Sequence, residues 1–228
     1  MGMGPAIEHG NLVVTLMAVH LLASILTAET RNLRMATIAL VFQSATLGAI
    51  IAVFGYLWQQ PWLYVWSASA LITKAVIIPA LLFAHIGKFP ARELRPIVGF
   101  RVSIAFIIVF LLVFYRFMHT NMYFIAPTSA AMLEPARSSL AMAFTVFALG
   151  VYVCIVHRDV VKIVIGIILL ENGAHLSLVT LAPNLPETTV LGISSNIVVA
   201  TWLLLILGGY IYKALGTTDT VTLSELRR

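Results

Sequence analysis

The sequence predicts an all-α, polytopic membrane protein with about seven transmembrane helices. Three observations lead there. Of 228 residues, 61% are hydrophobic and only 10% are charged, with a mean hydropathy of +1.00; a soluble domain carries about 25% charged residues. The apolar residues fall into continuous runs rather than alternating, which argues against a β-barrel. Lysine and arginine gather almost wholly in one set of connecting segments. The charge deficit excludes a soluble globular enzyme, a disordered chain and a secreted disulfide scaffold. The only cysteine is Cys154, so no intramolecular disulfide and no cysteine metal cluster can form.

A helix needs about 20 apolar residues to cross a hydrocarbon core about 30 Å thick. Seven segments satisfy this, at about 11–28, 35–58, 62–86, 97–118, 139–157, 160–182 and 189–212. Each break between them is polar. The first holds Glu29, Arg31 and Arg34; the second is Gln59-Gln60-Pro61; the third runs from Lys88 to Pro96. A longer polar stretch extends from His119 to Ser138, then come His157-Arg158-Asp159 and Pro183 to Glu187. The first span has no basic stretch before it and no small-residue cleavage site after it. It is expected to remain as a helix.

The basic residues then set an orientation. One side receives Arg31, Arg34, Lys88, Arg92, Arg95, Arg101, Arg158, Lys162, Lys213, Arg227 and Arg228, which is 11 of the 14. The other receives Arg116 and Arg137, and Lys74 lies inside the third span. This split predicts an N-terminus outside and a C-terminus in the cytoplasm. It also explains the net charge of +5 without nucleic acid. Arg101, about one turn inside its span, can snorkel to the interface. The loops contain no phosphate-cradling glycine run, no zinc-spaced His/Cys set and no nucleophile elbow. No catalytic centre, cofactor site or metal site is therefore expected in this chain; redox or hydrolytic chemistry has to come from partner subunits.

The buried polar groups carry the functional signal. A charge at the bilayer centre costs at least about 2.5–3.5 kcal/mol on insertion scales. Lys74 lies about 12 residues into the third span, and Glu171 about 11 residues into the sixth. Both fall near the midplane whichever way their helices run. Burial strips both groups of the hydration that holds their charge, which brings proton exchange within reach. The pair reads as part of a proton pathway; the plainer alternative is an ion pair that locks two helices. His175 follows Glu171 by one helical turn and shares its face. His20 lies mid-span in the first helix, where hydrogen-bonded packing is the alternative to a proton role. Asn196 and Gln43 do not titrate and suit contacts between helices. Pro79, five residues after Lys74, can kink the third span. Gly166 permits either close helix packing or a π-bulge.

Longer motifs now add a resemblance. From about Ala141 to the end, the chain resembles the small three-helix K subunit of respiratory complex I and the C subunit of multisubunit cation/proton antiporters. The shared run is HRDVVKIVIGIILLENGAHLSLV, followed by a short loop, a last helix and the tail TVTLSELRR. The whole chain resembles the component E membrane subunits of hydrogenase 4 and related formate hydrogenlyase complexes. TRNLRMATIALVFQS and LITKAVIIP carry that likeness into the first half. It divides the chain into an N-terminal four-helix membrane region, 1–138, and a three-helix complex I K-like region, 139–228.

The resemblance implies a non-catalytic subunit of the prokaryotic inner membrane, contributing to proton translocation driven by redox chemistry elsewhere. Its implied partners are antiporter-like and other membrane-arm subunits, a peripheral redox arm and the lipid bilayer. The K-like family carries two buried glutamates on an axis of polar residues. The first such position falls at Ile168, and Glu171, three residues later on nearly the same face, stands in for it. The second falls in LGISSNIVVATW, where Asn196 is the nearest polar residue. The implied proton pathway comprises Glu171, Lys74, His175, His20 and Asn196. A subunit of a cation/proton antiporter without a redox partner, and a purely structural scaffold, are the alternatives.

Overall fold

The computed structural model describes residues 3–87 and 100–216. The basic run from Lys88 to Pro96, the side chain of Arg101 and the tail beyond Gly216 lie outside the described residues. Helices account for nearly all of the rest: α1 (Met3–Glu29), α2 (Leu33–Leu57), α3 (Trp62–Ile86), α4 (Phe100–Thr120), the short α5 (Met122–Ile125) and α6 (Ser129–Met132), α7 (Ala136–Val156), α8 (Val160–Leu181) and α9 (Glu187–Leu215). Seven of them are long and apolar enough to cross a membrane, and no strand is present among the described residues.

The helix ends follow local chemistry. Asn32 caps α2 by accepting hydrogen bonds from the amides of Arg34 (2.9 Å) and Met35 (3.4 Å). Asp159 caps α8 in the same way, through Val161 (2.9 Å) and Lys162 (3.2 Å). Gly216, with φ +68°, ends α9 in the left-handed conformation that glycine adopts without strain. The stretch 119–138, read from sequence as a polar connection, contains α5 and α6. They form because Met122, Ala126 and Ala131 bury against Leu140 and Ala141. At its end burial alone would raise the Glu134 carboxyl. Hydrogen bonds from Ser138 and from His119 (2.9 Å) outweigh that and hold it below the ordinary carboxylate value.

Helix α3 departs from regularity where sequence placed a kink. Residues Leu71–Ile77 form a π-helix, and the Ile78 amide donates to the Thr73 carbonyl, five residues back. Pro79 follows at once, with no amide to donate and a ring that crowds the carbonyl four residues earlier. The π-turn opens space for that ring. It also fixes what α3 buries. Trp66, Ala70, Lys74, Ile78 and Leu82 are all buried at a spacing of four. In a regular helix that spacing drifts steadily around the axis, at about 100° per residue. The wider turn uses fewer degrees per residue, cancels the drift and keeps Lys74 inward. Gly166 instead serves close packing: a Cβ there would meet Cys154 Sγ at 2.8 Å and Val153 Cγ1 at 2.9 Å.

The interior is layered along the membrane normal. One apolar cluster joins Val13, Met17, Leu47, Ile51, Phe54, Leu63, Trp66 and Val179. A second joins Ala28, Ala36, Leu40, Ile78, Leu82, Val161, Val164 and Ile165. On α1, α2, α3 and α8 alike, buried polar residues lie between these two clusters: His20, Gln43, Lys74, Asn172 and His175. Sheathing a polar layer between two apolar ones satisfies hydrogen-bonding groups that lipid could not serve. Large apolar side chains of α4 and α9, such as Phe106, Leu112, Trp202 and Leu203, face outward.

Candidate functional site

Lys74 is fully buried, and its ammonium forms an ion pair with Glu171 Oε2 across the interface of α3 and α8. The Nζ also donates to His175 Nδ1 at 3.0 Å. An Nδ1 that accepts leaves the ring proton on Nε2, which fixes the neutral tautomer in this arrangement. Glu171 Oε1 lies 3.7 Å from His175 Nδ1, one turn along the same helix. The Trp66 ring stands edge-on to His175, with centroids 5.8 Å apart and planes at 88°. The π-turn and the i,i+4 spacing thus bring an acid, a base and an imidazole into one contact at mid-depth. The His175 Nε2 and Trp66 Nε1 atoms have no hydrogen-bond partner among the described residues.

A second group adjoins it in the same layer. His20 Nδ1 lies 3.0 Å from the Gln43 carbonyl oxygen and 3.0 Å from Thr46 Oγ1. Gln43 Nε2 donates to His20 Nε2 at 3.2 Å, and Asn172 Nδ2 donates to Gln43 Oε1 at 2.6 Å. His20, Gln43 and Asn172 therefore tie α1, α2 and α8 together beside the Lys74–Glu171 pair. Asn172 is next to Glu171 in sequence, so the two groups meet on α8. Gln43, read as a contact between helices, makes that contact twice.

Asn196 is not brought to this layer. It is exposed on α9, whereas Ser194, two residues earlier, is buried and accepts from Ser69 at 3.0 Å. The rotation of α9 decides this, and α9 is a helix with apolar residues on every side, so sequence gave no face to choose.

Sequence reasoning missed a further buried pair at the opposite end of α1. Lys162, which the basic-residue count places on the same side as the loop arginines, is fully buried. Its Nζ donates to the carbonyl oxygens of Thr27 (2.7 Å) and Thr30 (2.9 Å), the unsatisfied acceptors at the end of α1. Glu29 is buried nearby, with Oε1 accepting from Ser103 at 3.1 Å, and Ser103 shares a hydrogen bond of 2.8 Å with Tyr152. One signal was available: Lys162 follows the Asp159 cap by three residues, which commits it to the first turn inside the helix. His157 lies just outside α7, where burial and the nearby Lys162 charge push it down to about 4. It is neutral at physiological pH.

Fold and site together define a seven-helix membrane protein organised around an intramembrane acid–base pair. Residues 138–228 match the family model described as NADH-ubiquinone/plastoquinone oxidoreductase chain 4L. The chain is 26% identical over 219 residues to hydrogenase-4 component E of Escherichia coli K12, covering 96% of this chain and 99% of that protein. The Shigella flexneri hydrogenase-4 component E matches with the same figures. An uncharacterised Mycobacterium tuberculosis protein is 28% identical over 210 residues, covering 90% of this chain and 91% of its own length. No solved structure matches significantly. The chain is thus similar over nearly its full length to hydrogenase-4 component E, and its C-terminal region matches the chain 4L family model, in line with the resemblance carried by the motifs.

Proposed function

We propose that the chain is a non-catalytic membrane subunit of a complex I-like, energy-converting hydrogenase or related respiratory complex. In it, the Lys74–Glu171–His175 cluster takes part in proton translocation driven by redox chemistry in partner subunits. The observation that carries this reading is the cluster itself. A lysine, a glutamate and a histidine meet at mid-depth, and two of them lie in the region that matches the chain 4L family. Ionisable groups at that depth are costly and mark ion pathways by default. Here proton exchange needs no large motion, because acid, base and imidazole are already in contact. A charge arriving nearby from a redox-driven partner would shift which of the three holds the proton, since charges couple strongly where water is scarce. The reading includes the inner membrane of a prokaryote, an external N-terminus, a cytoplasmic C-terminus, and antiporter-like and redox-arm subunits as partners.

Gentle purification of a tagged chain from native membranes tests the assembly. It is expected to bring down antiporter-like membrane subunits together with a nickel–iron large subunit. Recovery with antiporter subunits alone would favour a cation/proton antiporter, and an abundant lone chain would contradict the reading.

A further inference from the structure

We propose that the outward face of α9 seats a transmembrane helix of a neighbouring subunit, and that this helix carries a carboxamide or a neutral carboxylic acid that hydrogen-bonds Asn196. This rests on the reading of the chain as one subunit of a membrane complex. It is independent of the proton role.

Asn196 is the group that calls for a partner. It lies inside the apolar span Leu191–Leu215, about 7.5 Å along the axis from the nearer end. Its side chain is exposed and makes no hydrogen bond among the described residues. Asparagine is too short to reach the headgroup layer as lysine and arginine do. Against hydrocarbon its amide stands unpaired, and lipid offers nothing to pair it with. Ser195 beside it is satisfied, because its hydroxyl donates to the Gly192 carbonyl at 2.9 Å.

The residues around Asn196 form a seam. Ser194, Ile197, Thr201 and Leu205 are buried in the bundle at spacings of three and four. On the opposite side of α9, Asn196, Val199, Leu203, Ile206 and Tyr210 repeat at three, four, three and four. Val199, Leu203 and Tyr210 are exposed and Ile206 partly so. This is the repeat that packs one helix along another at a shallow crossing angle. A single asparagine within it fixes the register, because any slide leaves the amide unpaired. Helix α4 also turns an apolar face outward, through Phe106, Val109, Leu112 and Val113. No amide stands in that face, and lipid satisfies it fully.

The surface beside the seam is recessed. A groove of about 530 Å³ runs between α3 and α9, past Ser69, Thr73, Gly192, Ser194, Ser195 and Val199. Its serine and threonine hydroxyls are turned into the protein. Ser69 donates to Ser194 at 3.0 Å, and Thr73 donates to the Ser69 carbonyl at 2.7 Å. The groove therefore presents short side chains, which let a second backbone come close. Val199 belongs to both groove and seam, so the two form one surface. The chemistry of the occupant follows from Asn196, whose carboxamide offers an acceptor oxygen and a donor nitrogen in one plane. A second carboxamide or a protonated carboxyl meets both at once. No charge lies along the seam, so the facing group is neutral. The membrane complex proposed above supplies helices to carry it.

The test places photoreactive benzoylphenylalanine at Trp202 or at Leu207, two exposed positions that flank the seam, in a tagged chain assembled in native membranes. Illumination is expected to join the chain to one transmembrane helix of a different subunit, identified by mass spectrometry. That helix is expected to hold an asparagine, glutamine, aspartate or glutamate level with Asn196. Adding Asn196→Leu should weaken the association about three- to thirtyfold, the range of one interhelical hydrogen bond, read as crosslink yield at equal amounts of inserted chain. Asn196→Gln keeps the amide and should retain most of the yield. Asn196→Leu combined with leucine at the partner's polar residue should recover yield over either change alone, since no amide is then left unpaired. Crosslinks to lipid alone or to a second copy of this chain overturn the seat. So does an Asn196→Leu chain that crosslinks as well as the unmodified one. In those cases, partner subunits recovered with the tag from the same preparation leave the assembly reading standing. A tagged chain that comes away alone removes both.

Discussion

Lys74→Met is expected to abolish proton pumping and to lower the yield of assembled complex sharply. The Lys74 ammonium is fully buried and pairs with Glu171. Methionine fills nearly the same volume, so packing is kept and only the charge is lost. Glu171 is then left as a buried carboxylate with a histidine for company. Breaking a buried pair from one side costs about 3–5 kcal/mol. Replacing both members by apolar residues of similar size is often close to neutral. Lys74→Met/Glu171→Leu should therefore recover assembly, read on a native gel, without recovering pumping. That combination separates the structural contribution of the pair from its proton chemistry. A double variant that both assembles and pumps would reduce the pair to a helix lock.

The contact of α7 with α8 should be the most sensitive packing surface in the chain. A Cβ on Gly173 would lie 2.5 Å from the Phe147 amide nitrogen and 2.6 Å from the Ala143 carbonyl oxygen. A Cβ on Gly150 would collide with the Leu170 amide nitrogen and come within 2.8 Å of the Gly166 carbonyl oxygen. These are backbone atoms and cannot swing aside. The pairing of 150 with 170 and of 147 with 173 keeps one antiparallel register along both helices. Glycine there lets the backbones approach, which is how membrane helices gain packing energy without a hydrophobic drive. Overpacking costs about 1–3 kcal/mol where side chains can adjust, and more where they cannot. Gly173→Ala and Gly150→Ala are each expected to lower the Tm of the detergent-solubilised complex by several degrees or to prevent assembly. Gly192→Ala, where an added Cβ meets nothing within 4 Å, should leave Tm unchanged.

The spans were legible because lipid imposes a single requirement, a continuous apolar run, that composition alone reveals. Lys74 and Glu171 were legible for the same reason: a charge inside such a run stands out, and counting residues gives its depth. The i,i+4 relation of Glu171 and His175 follows from helical geometry. Which helices lie side by side is another matter. Gln43 and His20 each read as isolated polar residues, and only the packing of α1, α2 and α8 joins them to each other and to Asn172. The π-turn was hidden because Pro79 signals disturbance without saying how the backbone absorbs it. The burial of Lys162 was not legible because a lysine near a helix end ordinarily reaches water, whereas here the end of α1 covers it and supplies two carbonyl oxygens. Asn196 depended on the rotation of α9, which no apolar stripe fixes.

The most direct measurement of the central claim is protons translocated per electron by a reconstituted complex carrying Glu171→Gln. Glutamine keeps the size of the side chain and an oxygen that can accept from the Lys74 ammonium, but it cannot take up or release a proton. The account predicts an assembled complex that turns over with artificial redox acceptors at close to the unmodified rate, with proton translocation largely lost. An assembled Glu171→Gln complex that moves as many protons per electron as the unmodified one would contradict it.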